Sequence, residues 1–394
     1  MKLLEKCRAF TEAAIAREQG WYPYFKVVET EQGPVAMVDG KQMLMLGSNN
    51  YLGLTNHPKV KKAAINAVKK YGTGCTGSRY LNGTLTLHEE AEARLAKFMQ
   101  REAALMFSTG YQTNVGTISA LVGKGEFVIT DRQDHASILD GCRLSFGKTL
   151  KFKHNDPEDL ERVLKRLGPD VGKMVVVDGV FSMEGSITRL PEIVQLCQTY
   201  KAVVMVDDAH SMGVLGDNGR GTAEHFNLEH AVDIVMGTFS KSFASMGGFI
   251  ATDAQTIDYI KHHSRPLMFS ASMAPATVAA VIAALDVIEQ EPERRQQLWR
   301  NADRLRHGLQ ELGFNTGHSA TPIIPVILGE DMLTFGFWRE LFERGVFTNP
   351  AVRQAVAPGS SLIRTSVIAT HTPAQIDRAL DIFCEVGQKL HVIS

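Results

Sequence analysis

Short apolar runs alternate with helical patterns over residues 50–285, and this alternation limits the folds open to the chain. Strands that are separated by helices typically form a mostly parallel sheet, because each parallel connection must cross the sheet. The predicted strands are Ala104–Phe107, Phe127–Thr130, Lys173–Asp178, Val203–Asp207, Ile234–Thr238 and Gly248–Ala251. The sequence therefore predicts an α/β fold. Ligands of such sheets bind at the carboxyl ends of the strands, so the residues that follow these runs are the candidate site.

The chain has 394 residues, which at roughly 150 residues per domain is too long for one small core. We expect three parts: an N-terminal helix and small strand segment at 1–45, a large α/β domain at 46–285 and an α+β domain at 286–394. The first part is predicted to contain one helix over 1–20 and strands at Phe25–Val28, Val35–Val38 and Met43–Leu46. The last part is predicted to contain strands at Ile323–Leu328, Val346–Thr348 and Leu362–Ser366 and a helix at Thr372–Leu390.

Composition and charge exclude several classes of protein. Hydrophobic residues make up 44% of the chain and charged residues 22%, which is typical of globular proteins and not of disordered ones. The 42 basic and 43 acidic residues give a net charge of −1, so nucleic acid is not expected as a main partner. No apolar stretch approaches the roughly 20 residues that cross a bilayer. We expect a soluble cytoplasmic protein with free thiols and no metal site, because the five cysteines are scattered without a paired motif.

The residues that most directly indicate a type of reaction lie at the ends of two predicted strands. The segment VVMVDDAHSMGVLG at 203–216 runs from a strand into Asp207, and IVMGTFSKSFASMGG at 234–248 runs from a strand into Lys241. A lysine among small residues beyond a buried strand is partly desolvated, which lowers its pKa and makes it a nucleophile toward a carbonyl. Pyridoxal 5′-phosphate (PLP) needs such a lysine for its Schiff base and a carboxylate at its pyridine nitrogen. Asp207 could supply that carboxylate.

These two motifs resemble those of the α-oxoamine synthase family of fold-type I PLP enzymes, whose fold is like that of aspartate aminotransferase. Further segments match family motifs in the expected order: SNNYLGL at 48–54, GTGCTGSRYLNGT at 72–84, LHEEAEARLAKF at 87–98, FSTGYQTN at 107–114, DRQDHASILDG at 131–141, DGVFSMEGSI at 178–187 and IRTSVIATHT at 363–372. The resemblance spans nearly the whole chain. It implies a large PLP-binding domain with a mostly parallel sheet and a smaller C-terminal α+β domain.

The resemblance also implies roles for individual residues around the cofactor ring. Lys241 would form the Schiff base and then remove and return protons. Asp207 would bind the pyridine nitrogen, and His210 would reach the phenolic oxygen. His135 would stack on the ring, and either histidine could polarise the thioester oxygen. Ser182 would lie near the phenolic oxygen, although a turn serine is the alternative.

The phosphate and the substrate have their own implied residues. Gly110 and Tyr111 would offer backbone amides to the phosphate at a helix start, where the helix dipole favours an anion. Thr238 and Ser240 would add hydroxyl groups there. The segment FSASMAP at 269–275, with Ser270, is similar to the family segment that reaches the partner subunit's phosphate, so a homodimer with shared active sites is expected. Arg364 would hold the substrate carboxylate with Asn49 beside it. Lysine could not reproduce the two-pronged contact of Arg364.

The family condenses an α-amino acid with an acyl thioester and releases carbon dioxide. Ser240 before the lysine and Gly247–Gly248 after it favour the subgroup that uses L-serine and a long-chain acyl-CoA. Alanine or glycine as the amino acid, an acyl carrier protein as the donor, a plain aminotransferase and a non-catalytic partner subunit are the alternatives. The glycine-rich segment 72–84 could line the acyl entrance or be a flexible loop. The amphipathic residues 1–20 could pack on the partner or contact a membrane surface.

Overall fold

A computed structural model describes residues 2–394 of the chain. Its strands are β1 (Val35–Val38), β2 (Lys41–Met45), β3 (Ala103–Phe107), β4 (Phe127–Asp131), β5 (Lys148–Phe152), β6 (Lys173–Asp178), β7 (Val203–Asp207), β8 (Ile234–Thr238), β9 (Gly248–Thr252), β10 (Ile323–Gly329), β11 (Val346–Phe347), β12 (Asn349–Ala351) and β13 (Ser361–Ser366). Its α-helices are α1 (Lys2–Arg8), α2 (Glu12–Glu18), α3 (Pro58–Tyr71), α4 (Thr86–Phe98), α5 (Gly110–Leu121), α6 (Ala136–Leu144), α7 (Pro157–Leu164), α8 (Leu190–Tyr200), α9 (Thr222–His225), α10 (Ala254–His263), α11 (Arg265–Met268), α12 (Pro275–Gln290), α13 (Pro292–Glu311), α14 (Asp331–Glu343) and α15 (Pro373–Lys389).

The central sheet has seven strands in the order β3-β9-β8-β7-β6-β4-β5. Strands β5, β4, β6, β7 and β8 pair in parallel, and β9 runs antiparallel to both β8 and β3. The parallel register places Asp178 at the end of β6 beside Asp207 at the end of β7. The carboxyl ends of the parallel strands therefore meet at one edge of the sheet, which is where ligands of such sheets bind.

Hydrophobic packing covers both faces of this sheet. In β6, Val175 and Val177 belong to the larger core cluster, and Met174 and Val176 belong to a second cluster. Successive side chains of a strand point to opposite faces, so an unbroken apolar run is expected wherever both faces are covered. This explains why the inner strands read as continuous apolar runs in the sequence.

Two three-stranded sheets flank the central one. In the first, with the order β1-β2-β11, β11 pairs in parallel with β2, so the start of the chain joins its last third. In the second, with the order β10-β13-β12, β13 pairs antiparallel with both neighbours. The division of the chain into domains at residues 45 and 285 stays a prediction.

The predicted fold class is confirmed, and the predicted bounds of β6, β7 and β8 match those in the structure. The prediction lacks the edge strand β5, because its sequence KTLKF has two lysines and a threonine among five residues and so forms no apolar run. The predicted strand at Phe25–Val28 was wrong. Phe25 has a positive φ of 56° and is 91% exposed, and Val28 forms only an isolated bridge to Val38.

The N-terminal helix over residues 1–20 was also predicted incorrectly as one element. Two short helices, α1 and α2, occupy this part of the described chain, and α1 contributes no buried residue. Leu3 and Phe10 are 74% and 63% exposed. Over residues 2–394, every helix is too short or too polar to span a lipid bilayer.

Candidate active site

A cavity of about 320 Å³ lies at the carboxyl edge of the central sheet. Nine of the ten residues that were predicted to contact the cofactor line it: Gly110, Tyr111, His135, Ser182, Asp207, His210, Thr238, Ser240 and Lys241. They come from the last residues of β7 and β8 and from the segments that follow β3, β4, β6, β7 and β8. The parallel register of the sheet therefore brings these separate motifs into one site.

Lys241 lies three residues beyond the end of β8 and lines this cavity. Burial lowers the pKa of its amine to about 8, and Arg364 adds to the lowering, while Asp207 and Asp178 oppose it. A lysine with this pKa has a substantial neutral fraction near neutral pH. Only the neutral amine has the lone pair that attacks a carbonyl carbon, so Lys241 is suited to bond with an aldehyde.

Asp207 ends β7, and its side chain is held from two sides. Its Oδ1 accepts a hydrogen bond from the backbone N–H of Ala209 at 2.9 Å, and its Oδ2 accepts one from Asn114 Nδ2 at 2.6 Å. Each carboxylate oxygen retains acceptor capacity, because an ionised carboxylate offers about four lone-pair sites. A protonated ring nitrogen could therefore donate to Asp207 without displacing either partner.

His135 caps the N-terminus of α6 and is anchored through its backbone. Its N–H donates to Asp178 Oδ2 at 3.0 Å, and the N–H of Asp178 in turn donates to Asp134 Oδ1 at 2.9 Å. Burial and the nearby Asp207 carboxylate raise the pKa of Asp178 well above its ordinary value. The raised pKa favours the neutral form of Asp178, which limits the negative charge that accumulates beside Asp207.

His210 lies three residues beyond the end of β7 and contacts Tyr51 from the motif at 48–54. The Tyr51 hydroxyl and His210 Nδ1 are 2.7 Å apart. Burial lowers the pKa of His210 well below its ordinary value, and the cations Lys241 and Arg364 add to this effect. Burial raises the pKa of Tyr51 to about 12. Both groups are therefore neutral at physiological pH, and the pair holds the imidazole in one orientation.

The N-terminus of α5 forms the end of the cavity that is suited to an anion. Thr109 caps this helix by accepting a hydrogen bond from the N–H of Gln112 at 3.0 Å. The amides of Gly110 and Tyr111 belong to the first turn, whose N–H groups have no partner within the helix. A Cβ on Gly110 would lie 2.6 Å from Thr238 Oγ1, so only glycine lets this helix start approach β8 so closely. Backbone amides and hydroxyls converge here as a phosphate requires.

Tyr111 and Ser270 differ from the other predicted cofactor residues. The Tyr111 side chain is about half exposed and donates its hydroxyl to Asp140, so its backbone is the part suited to the phosphate. Ser270 lies outside the cavity of its own chain, where its hydroxyl accepts a hydrogen bond from Gln112 Nε2 at 2.9 Å. Its expected contact with the partner subunit's phosphate stays a prediction.

A second cavity of about 510 Å³ holds the predicted substrate residues Arg364 and Asn49. It shares Lys241, His135, His210 and Ser182 with the first cavity, so the two meet at the lysine. Arg364 is 4% exposed, donates from Nη2 to Asn49 Oδ1 at 2.9 Å and donates from Nε to the Ser182 carbonyl. Three of its five N–H groups remain for a carboxylate.

Three residues that the sequence analysis did not single out take part in the site: Tyr51, Asn114 and Asp178. Each lies inside a motif that was quoted for its family resemblance. Asn114 follows Gly110 by one helical turn, so it faces the same side of α5 as the end that is suited to an anion. That spacing was the available signal. The glycine-rich segment 72–84 lines neither cavity of the single chain, and its Arg79 forms a two-pronged pair with Glu92 of α4.

A nucleophilic lysine, a carboxylate one strand away and a helix start for a phosphate together define a fold-type I PLP-dependent transferase. Residues 41–383 match the family model for aminotransferase class I and II. The chain belongs to this family, and its cofactor is PLP.

Individual relatives narrow the comparison. The chain is 48% identical over 393 residues to a serine palmitoyltransferase of Sphingobacterium spiritivorum, with 100% of this chain and 98% of the relative covered. It is 46% identical over 378 residues to an 8-amino-7-oxononanoate synthase of Thermoanaerobacter pseudethanolicus, with 96% of each covered. A solved structure of serine palmitoyltransferase from S. paucimobilis with bound PLP and myriocin matches with a TM-score of 0.96 at 39% identity, covering 99% of this chain and 100% of that one. The resemblance to α-oxoamine synthases is confirmed.

Proposed function

We propose that the chain is a serine palmitoyltransferase, which joins L-serine to palmitoyl-CoA and gives 3-oxosphinganine, CoA and carbon dioxide as the first step of sphingolipid synthesis. The observation that carries this proposal is the end-to-end similarity to serine palmitoyltransferases, at 48% identity over 393 residues and a TM-score of 0.96 for a solved structure. The presence of Lys241, Asp207 and His210 argues against a non-catalytic partner subunit.

The residues of the first cavity suit the binding of PLP. When bound, PLP withdraws electrons from the α-carbon of an attached amino acid. Asp207 would hold the proton on the ring nitrogen, because its carboxylate has acceptor capacity left. The amides of Gly110 and Tyr111 and the Thr238 hydroxyl would bind the phosphate. Lys241, once its amine is released, would remove the substrate's α-proton and later return it.

The second cavity would bind the amino acid substrate. Arg364 would bind the substrate carboxylate through the N–H groups that Asn49 and Ser182 leave free. This contact would place the α-carbon near Lys241, since the lysine lies where the two cavities meet. A fixed guanidinium at this point also rejects amines that lack a carboxylate.

A third cavity, beside the substrate cavity, supports a long-chain acyl donor. It encloses about 790 Å³ and shares His135, Ser182 and Met183 with the substrate cavity. Apolar side chains line part of it, and Arg132 and Lys153 also border it. A palmitoyl thioester combines an apolar chain with an anionic carrier, and this combination of linings suits both parts. An acyl carrier protein remains the alternative donor.

We further propose that the active unit is a homodimer. Large apolar side chains are exposed in the segments at 72–84 and 269–275, with Leu81 at 78% and Phe269 at 73%. Exposed apolar groups of this size favour burial by a second subunit. The Ser270 segment would then reach the partner's phosphate. Light scattering of the purified chain should give twice the mass of 43.3 kDa, and a monomer with full activity would exclude the shared site.

The direct test of the reaction is product mass. Purified protein with PLP is incubated with palmitoyl-CoA and either L-serine, L-alanine or glycine, and the lipid products are identified by mass spectrometry. We expect 3-oxosphinganine from serine to dominate. Lys241→Ala serves as the matched control, since it removes the nucleophile and leaves the substrate cavity in place.

The 46% identity to an 8-amino-7-oxononanoate synthase favours one second candidate, a condensation that uses alanine. The same three incubations separate the two, and pimeloyl-CoA is added as a second acyl donor. Dominant turnover of alanine with pimeloyl-CoA would contradict the proposal and leave the assigned cofactor residues intact. Formation of the amine form of the cofactor without any acyl donor would indicate an aminotransferase.

A further inference from the structure

Two buried side chains, Asn114 and Ser137, connect the His135 ring to the Asp207 carboxylate in the first cavity. Ser137 Oγ lies 2.7 Å from His135 Nδ1, and Asn114 Nδ2 donates to Ser137 Oγ at 2.9 Å. Asn114 Nδ2 also donates to Asp207 Oδ2 at 2.6 Å. Asn114 is 0% exposed and Ser137 is 1% exposed, so solvent does not compete for these hydrogen bonds.

The direction of each hydrogen bond follows from the chemistry of its partners. The Asp207 carboxylate can only accept, so the Asn114 amide must present its NH₂ group to it. The second hydrogen of that NH₂ group goes to Ser137 Oγ, which leaves the Ser137 O–H free to donate to His135 Nδ1. The backbone N–H of Ser137 also donates to His135 Nδ1, at 3.3 Å.

These directions determine the tautomer of His135. A ring nitrogen that accepts hydrogen bonds carries no proton, so the proton of the neutral ring is on Nε2. Among residues 2–394, Nε2 has no hydrogen-bond partner, and the His135 ring lines both cavities. The ring therefore keeps one N–H donor available to a bound molecule.

The orientation of the Asn114 side chain lowers the stability of the fold. Its Oδ1 is buried and has no hydrogen-bond partner within the described chain. An unsatisfied buried oxygen destabilises a folded protein, and such groups are usually paired unless they serve another purpose. In this orientation Oδ1 has no partner among the described residues, and Nδ2 donates to both Ser137 and Asp207.

We propose that Asn114 and Ser137 are positioning residues that couple the His135 ring to the Asp207 carboxylate, so that the two groups bind PLP as one unit. This proposal rests on the proposed contacts of His135 and Asp207 with the cofactor and not on the identity of the substrates. It predicts that the contributions of Asn114 and Ser137 to cofactor affinity are not independent.

A double-mutant cycle on PLP affinity tests the coupling. The apo forms of the parent, Asn114→Ala, Ser137→Ala and the double variant are titrated with PLP by equilibrium dialysis. We expect Kd to rise about 30-fold for Asn114→Ala and about 5-fold for Ser137→Ala. The double variant should bind as Asn114→Ala does, because removing Asn114 already disconnects Ser137 from Asp207. A product of the two single effects, near 150-fold, would overturn the proposal.

Thr117→Val is the matched control. Thr117 lies on α5 three residues after Asn114, is fully buried and has a hydroxyl without a partner among the described residues. Its replacement should leave the PLP Kd within about twofold. If Asn114→Ala does not fold, a second cycle pairs Ser137→Ala with His135→Gln, and Ser137→Ala should then have no effect in the His135→Gln background. Independent effects in that cycle, or an unchanged Kd in Ser137→Ala alone, would equally overturn the proposal.

Discussion

The two halves of the active site are built in different ways. On the cofactor side, Asp207 and Lys241 follow neighbouring strands of one sheet, so the strand pairing alone brings them together. The other half, called the carboxylate half because it would bind the carboxylate of the substrate, is centred on Arg364. Arg364 contacts Asn49 and Ser182, which are 315 and 182 residues away in the chain. The first half depends on the register of one sheet. The second half depends on how three distant segments pack.

This difference suggests that the two halves have separate roles, one in the chemistry and one in substrate binding. The cofactor half is held by strand ends whose strands are packed on both faces, and we expect this packing to fix its geometry. The carboxylate half lies between the central sheet and β13 of a flanking sheet. We therefore expect substitutions in the first half to remove the chemistry and substitutions in the second half to weaken substrate binding.

The largest expected effect comes from the cofactor half. Lys241→Ala should lower turnover by about 10³-fold or more, because it removes both the nucleophile and the group that transfers the α-proton. Product formation is measured by mass spectrometry, and the absorbance band of the bound cofactor is followed in parallel. Lys261→Ala, which replaces a half-buried lysine of α10 that lines neither cavity, is the control. Residual activity within tenfold of the parent would show that another group transfers the proton.

A substitution in the carboxylate half should give a different kinetic pattern. Arg364→Lys keeps the charge and loses the planar fork, so the KM for L-serine should rise about 10- to 100-fold with a smaller change in kcat. The PLP Kd should stay unchanged. Arg353→Lys, which alters an exposed pair with Asp331, is the matched control. Equal losses in kcat and in PLP affinity would show that the two halves are not separable.

The pH dependence of cofactor capture tests the cofactor half alone. Burial lowers the pKa of Lys241 to about 8, so the reactive neutral fraction grows as pH rises toward that value. Below pH 8 the rate at which apo protein bonds to PLP should increase about tenfold per pH unit, and above it the rate should level off. Stopped-flow absorbance measures this rate. Pyridoxamine 5′-phosphate has no aldehyde and should bind without the same rise. A profile that keeps rising toward pH 10 would mean that the amine is not desolvated.

The smallest effect is expected at Ser240, which the sequence analysis used to choose the amino acid. The Ser240 hydroxyl lies 3.0 Å from Thr238 Oγ1 at the phosphate end and does not line the substrate cavity. Ser240→Gly should therefore weaken PLP binding by about threefold and leave the preference among serine, alanine and glycine unchanged. Competition assays with the three amino acids measure this preference. A shift toward alanine would make Ser240 a specificity residue and extend the cofactor half into substrate choice.

Most of the cofactor half was predictable from sequence. Asp207 ends one apolar run and Lys241 lies three residues beyond another. Such runs are easy to recognise because strands buried on both faces must be apolar throughout. Tyr51 and Ser137 lie within the family-like motifs and carried no signal of their own, and Asn114 was signalled only by its spacing from Gly110. Tyrosine, asparagine and serine are common in loops and helix starts, and only a distance to a partner shows that they act in the site.

The sequence by itself predicted the class of fold, the strands whose ends carry the candidate site and Lys241 as the candidate nucleophile, because each of these follows from local patterns of apolar and polar residues. Tertiary structure alone decided which side chains meet Arg364, where the second cavity joins the first and which nitrogen of His135 carries the proton. These features depend on contacts between segments far apart in the chain. Such contacts are set by packing and by hydrogen-bond direction, and neither produces a repeating pattern in the sequence.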